Sequence, residues 1–268
     1  MWQKNCYRIV VKVGTSTLTH DTGAANFHSI ERLCRVLSDL QGYGHEIILV
    51  TSGAIAVGTS KMKLSERPRE LRMKQAAAAV GQCQLMHLYD KFFAEYNHSV
   101  AQILLTGDDV ADPIRAEHLS NTFSALMETG IIPIVNENDS VSPAEIETGA
   151  QKILGDNDTL SAIVAKLTHA DMLILLSDIE GLYDSDPHTN KNAKLIHTVE
   201  EITPEIISMA GGEGTWRGTG GMVTKLSAAK IATEAGCDMI ITNGTRPEDI
   251  YDIVEGDEIG TRFIGYRD

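Results

Sequence analysis

The chain has 268 residues, ordinary apolar content, few aromatics and a formal charge of −14. That length supplies a core without disulfide or metal staples, and the negative balance disfavours a general nucleic-acid grip, which needs clustered Lys and Arg against phosphates. The apolar run at the N-terminus is too short for a secretory signal, and no later segment reaches the ~20 apolar residues of a membrane span, so the expectation is a soluble, cytoplasmic protein. Cys6, Cys34, Cys83 and Cys237 lie far apart without C-x-x-C spacing, so reduced and mostly buried thiols are expected, with neither a zinc ribbon nor a dithiol site.

In chain order, short β-branched runs predict strands at Tyr7–Val13, Glu46–Thr51, Val100–Leu105, Ile131–Val135, Met172–Leu176 and Met239–Thr242. Between them, apolar period and helix breakers predict helices at Phe27–Leu40, from about Glu70 to Tyr96, and at Glu117–Glu128, Thr159–Leu167 and Met222–Ala235. Strands alternating with helices imply an α/β protein with a mainly parallel sheet covered on both faces. The expectation is one domain with two lobes, without repeats or an obvious linker.

Each strand is followed by a polar exit: Lys12-Val-Gly14-Thr-Ser-Thr, Thr51-Ser52-Gly53, Thr106-Gly107-Asp108-Asp109, Asn136-Glu-Asn-Asp139-Ser140, Ser177-Asp178-Ile-Glu-Gly181 and Asn243-Gly244-Thr245. Open α/β sheets bind ligands outside the carboxyl ends of their strands, so these loops predict one ligand-lined edge, although any single loop needs turn residues anyway. Gly14, with the hydroxyls after it, lets backbone amides approach an anion, and Lys12 brings charge to the same edge; alone, Lys12 could equally be a snorkelling surface lysine. The run Gly218-Thr-Gly220-Gly221-Met-Val-Thr224-Lys225, read as a glycine loop feeding the next helix, offers a second such site.

The stretch Lys152–Lys166 places Asp156, Asn157 and Asp158 after a glycine and before an apolar helix. One such residue suffices for an N-cap. The run supplies three, so spare carboxylates can orient amines or cations.

Together VVKVGTSTLT, VTSGAIAVG, IPIVNENDSVS, GDNDTLSAIVA, LLSDIEGLYDSDP and GTGGMVTKLSAAKIA, in this order, resemble the amino acid kinase family, from Lys12 to about Thr261. Within it they are most similar to the branch that uses ATP and Mg²⁺ to phosphorylate the γ-carboxylate of L-glutamate, the first step of proline biosynthesis. The resemblance implies a three-layer αβα sandwich in which residues 1–170 hold the acceptor and residues 171–268 the nucleotide. It implies acceptor contacts from Ser52, Asp139 and Asn157, with Asp158 a partner of the substrate amino group. Nucleotide contacts fall on Ser177, Asp178, Thr219, Gly220, Gly221, Met222, Val223, Thr224 and Lys225. Lys12 and Lys225 match the phosphate-stabilising lysines, and Asp156 the carboxylate that holds them in place; Mg²⁺ rides on phosphate oxygens without protein ligands. Many members carry a C-terminal RNA-modification-enzyme-like (PUA) domain, which is not expected here because the sequence stops at Asp268. Feedback inhibition by proline and hand-off of the product to glutamate-5-semialdehyde dehydrogenase are also implied. A homo-oligomer is expected from the apolar residues of Met73–Tyr96. The competing readings are a kinase of N-acetylglutamate or aspartate, and a sensor without catalysis.

Overall fold

In the computed structural model, which describes residues 6–141, 156–187, 189–209 and 220–267, every run expected as a strand is one. The elements in chain order are β1 (Arg8–Val13), α1 (Thr15–Leu18), α2 (Phe27–Gly42), β2 (Glu46–Val50), α3 (Ala54–Lys61), α4 (Leu71–Glu95), β3 (Val100–Leu105), α5 (Gly107–Ala111) and α6 (Pro113–Glu128). They continue with β4 (Ile132–Glu137), α7 (Asn157–Leu167), β5 (Met172–Ser177), β6 (Thr198–Val199), α8 (Pro204–Met209), α9 (Gly220–Glu234), β7 (Asp238–Asn243), α10 (Asp249–Glu255) and β8 (Thr261–Phe263). The sequence reading lacked the short pieces α1, α3, α5, α8, α10, β6 and β8, which are too brief to show a period.

The strands form one eight-stranded sheet in the order β3-β4-β2-β1-β5-β7-β8-β6. All pairings are parallel except β7 with β8. Because successive strand residues point to opposite faces, β1, β2 and β5 feed two cores at once. Val10, Ile48, Val50, Leu173 and Leu175 pack with α6, α7 and α9. Ile9, Val11, Ile47, Leu49, Ile174 and Leu176 pack with α2, α3, α4 and α10. Burial on both faces is why these strands read as continuous apolar runs, and it makes the fold a three-layer αβα sandwich.

Local signals place the helix starts. Asn26 accepts from the Ser29 amide at the head of α2, and Asp112 accepts from the Ile114 and Arg115 amides ahead of Pro113 in α6. Ile30, Leu33, Cys34, Leu37 and Leu40 form the buried stripe of α2. No helix among the described residues is long and apolar enough to cross a membrane. No disulfide joins the four cysteines, and Cys6 and Cys83 are exposed, so only Cys34 and Cys237 meet the expectation of burial.

The α3–α4 contact supports the end of β2 and is unusually close. A Cβ on Gly81 would stand 1.8 Å from the Ala54 carbonyl oxygen, and one on Gly58 1.8 Å from that of Ala77. Neither backbone can yield without moving a helix. Gly81→Ala should therefore destabilise the protein by about 1–3 kcal/mol or more, as overpacking does, despite the better helix propensity of alanine. Chemical denaturation tests this, and an unchanged midpoint would mean that the helices are free to separate.

Candidate active site

Strand order reverses direction at β1: β2 and β4 continue on one side, β5 and β7 on the other. Crevices outside the carboxyl ends of strands at such a switch point are where open α/β sheets bind ligands. A cavity of about 350 Å³ opens there, lined by Lys12, Gly14, Thr15, Ser52, Gly53, Ala54, Ile55, Ala56, Arg67, Asp139, Asp156, Asn157 and Asp158. Three strand exits, the α3–α4 connection and the start of α7 thus reach one space, brought together by the parallel register of β2 with β1 and β4.

The centre of the site is an ion triad. Lys12 leaves the end of β1, Lys225 comes from α9, and Asp158 from the first turn of α7. Lys12 Nζ lies 2.5 Å from Asp158 Oδ1, and Lys225 Nζ lies 3.1 Å from Asp158 Oδ2. Their residues are 8%, 7% and 3% exposed, so water contributes little to holding these charges. Burial pushes the Asp158 carboxyl upward, but the two ammonium groups outweigh it and hold the group below the usual carboxylate range. The triad carries one net positive charge. Both lysine heads face a glycine: a Cβ on Gly14 would be 3.8 Å from Lys12 Nζ, and one on Gly221 3.7 Å from Lys225 Nζ. Glycine at those positions leaves space beside each ammonium for anionic oxygens.

This geometry corrects the assignment of the carboxylates. The lysine-holding carboxylate is Asp158, whereas the sequence reading had given that place to Asp156. Asp156 is the N-cap of α7, where its Oδ1 accepts from the Thr159 amide at 2.9 Å. Asp158 has both oxygens facing ammonium groups, which leaves neither aimed at a substrate amine. The reason is helical phase: the cap residue turns outward over the first turn, and two positions later the side chain points across the helix start toward β1 and α9. A second correction concerns α9, which begins at Gly220, two residues before the expected start at Met222, so Gly220 and Gly221 belong to the helix and not to a loop before it. Lys225 is therefore held on a rigid element, and its Nζ also donates to the Gly221 carbonyl at 3.2 Å.

On the acceptor side, Asn157 ties three elements together. Its Nδ2 donates to the Thr51 carbonyl at 2.9 Å, to Ser52 Oγ at 2.8 Å and to Asn136 Oδ1 at 3.2 Å. Asn136 in turn donates to Gln82 Oε1 on α4 at 2.9 Å, and Thr51 Oγ1 lies 2.7 Å from the buried Tyr89 hydroxyl. Gly53 adopts φ +86 and lets the chain turn from β2 straight into α3. Residues Ala54–Ala56 of the first turn of α3 then line the cavity.

The expected site residues Lys12, Ser52, Asp139, Asp156, Asn157 and Asp158 thus share one cavity, and Lys225 joins it through Asp158. On the nucleotide side, Ser177 Oγ donates to Asp178 Oδ1 at 3.0 Å just beyond β5, and Met222, Val223 and Thr224 continue α9. Thr219 lies outside the described residues. The sequence reading put Asn136 in a polar strand exit without giving it a site role, and it missed Arg67. Asn136 is 1% exposed directly after the apolar residues Ile132–Val135 of β4, and a polar residue at that strand end is a usable signal. Arg67, in the connection between α3 and α4, carries no such mark.

A profile of the amino acid kinase family matches residues 7–243, from β1 through β7. Over 266 residues the chain is 58% identical to a Glutamate 5-kinase of Clostridium perfringens, covering 98% of this chain and 97% of that protein. Among solved structures, T. acidophilum isopentenyl phosphate kinase in a product complex is 18% identical with a TM-score of 0.63, covering 96% of this chain and 99% of that one. Carbamate kinase from Giardia lamblia bound to AMP-PNP is 12% identical with a TM-score of 0.65, covering 98% and 100%. At such identities the structural likeness speaks for the fold, while the profile and the high-identity relative speak for descent. The chain belongs to the amino acid kinase family.

Proposed function

We propose that this protein transfers the γ-phosphoryl group of ATP to the γ-carboxylate of L-glutamate, giving L-glutamyl 5-phosphate and ADP, the first step of proline biosynthesis. The observation that carries this reading is the buried Lys12–Asp158–Lys225 triad at the end of the acceptor cavity. A carboxylate nucleophile is ionised at neutral pH, so it needs no general base. What it does need is help in approaching another anion. One carboxylate oxygen forms a bond to the γ-phosphorus as the bond to the β,γ-bridging oxygen breaks, and that oxygen leaves on ADP. Lys12 and Lys225 sit where the charge of the transferring group gathers, and Asp158 fixes both heads before substrate arrives.

The acceptor amine fits the wall formed by Asp139 and Asp156, with Ser52 and Asn157 orienting the carbon chain. Ser177, Asp178 and the Thr219–Lys225 run fit the nucleotide, which places acceptor binding in residues 1–170 and nucleotide binding in residues 171–268. Mg²⁺, when bound with ATP, supplies further charge neutralisation. Mg²⁺ is a hard cation that keeps several waters, and the phosphate oxygens of the nucleotide are ligands of the kind it prefers. A homo-oligomer, inhibition by proline and hand-off to glutamate-5-semialdehyde dehydrogenase belong to the same proposal. For the oligomer, the buried face of α4 packs within its own molecule, and its exposed apolar residues are Ala76, Ala79, Val80, Cys83 and Ala94.

The test is ADP release from Mg-ATP with the acyl phosphate trapped by hydroxylamine. Glutamate should give hydroxamate, and N-acetylglutamate should give about 10–150-fold less, because Asp139 and Asp156 would face an amide in place of an ammonium. Equal turnover of the two acceptors would remove glutamate from the proposal.

A further inference from the structure

We propose that Arg67 binds the non-reacting α-carboxylate of the acceptor and so sets the preference of the site for an α-amino acid over a simple amine-bearing acid. This deepens the glutamate reading above and rests on it. Among the described residues that line the cavity only Lys12 and Arg67 are cations, and Lys12 is engaged by Asp158. Arg67 lines the same cavity and makes no ion pair or hydrogen bond among the described residues.

The chemistry of the acceptor leaves one group without a partner. Its reacting carboxylate goes toward the lysines and its ammonium toward Asp139 and Asp156. The second carboxylate then enters a space already walled by those two aspartates and needs a cation of its own. A guanidinium supplies it with two parallel N–H donors matched to the two oxygens, which a lysine cannot do. The backbone also favours this role. Arg67 precedes Pro68, whose ring disfavours the helical region for it, and α4 begins only at Leu71. The side chain thus lines the cavity from a backbone position of restricted freedom, and less freedom is lost when substrate arrives.

The experiment compares the parent with Arg67→Gln and Arg67→Lys, using glutamate as substrate and 4-aminobutanoate as a competitor. That competitor is glutamate without its α-carboxylate. Arg67→Gln should raise the KM for glutamate by about 10–100-fold with kcat held within about threefold, and Arg67→Lys should fall between it and the parent. The inhibition constant of 4-aminobutanoate should change by less than about threefold. Arg67 is exposed, so thermal midpoints should match. A glutamate KM unchanged in Arg67→Gln would overturn the inference, as would a fall in kcat at constant KM, which would put Arg67 on the phosphoryl group. A parent that forms no hydroxamate from glutamate would overturn the reaction itself, and that result is read before any variant is made.

Discussion

Lys225→Met lowers kcat by about 100-fold or more, equivalent to about 2.7 kcal/mol, and leaves the KM for glutamate nearly unchanged. The expectation follows from where the ammonium sits. It is buried on α9, held by Asp158 and faced by Gly221, so among the described residues only that carboxylate and one carbonyl use its charge. Methionine fills a similar volume without charge, which removes the interaction that strengthens as the phosphoryl group leaves ADP. Lys12→Met should behave alike, because the second ammonium holds the other side of the same carboxylate. The two effects should not add, since the groups act as a unit on one transferring group. Steady-state kinetics on folded variants decides it. A kcat within about threefold of the parent for Lys225→Met would place the chemistry elsewhere.

Asp158→Asn should cost both activity and stability, and Asp156→Asn neither to the same degree. Removing the Asp158 charge leaves two buried ammonium groups facing one another across an amide, and breaking a buried ion pair on one side costs about 3–5 kcal/mol. The kcat should fall at least as far as in the lysine variants, because both lysine heads lose their anchor. In Asp156→Asn the cap survives, since asparagine accepts from the Thr159 amide as well as aspartate does. Its effect should appear as a raised KM for glutamate from the lost contact with the ammonium. The pH dependence has a definite sign. The folded Asp158 carboxyl lies below its unfolded value, so its contribution is fully present above the unfolded value of about 4 and is lost as pH falls through the folded one. Denaturant titrations from neutral pH into that acid window should show a steeper loss for the parent than for Asp158→Asn. Parallel acid limbs, or similar kcat losses in Asp156→Asn and Asp158→Asn, would sink the assignment of the anchor to Asp158.

The sequence by itself determined the layer architecture, because β-branched runs bounded by polar, glycine-bearing exits leave a parallel sheet as the way to bury both faces of β1, β2 and β5. It also determined the chemical class of the edge, since Lys12, Gly14, Ser52, Asp139 and the Asp156–Asp158 run lie at strand exits or a helix start, and a parallel sheet gathers such points. Short elements stayed hidden: β8 spans Thr261–Phe263 and is held by pairing with β7, a contact that no local pattern encodes. Only the tertiary structure decided which aspartate serves the lysines. Asp156 and Asp158 are chemically identical and two residues apart, so composition and spacing treat them alike. The difference arises because α7 starts at Asn157, which turns one carboxylate onto its own helix amides and the other toward β1 and α9. The same holds for Arg67, an unremarkable arginine in a connecting segment until the close packing of α3 on α4 brings that segment over the acceptor cavity. Those decisions rest on relative orientation between elements distant in sequence, and side-chain direction on a helix changes by about 100° with each residue.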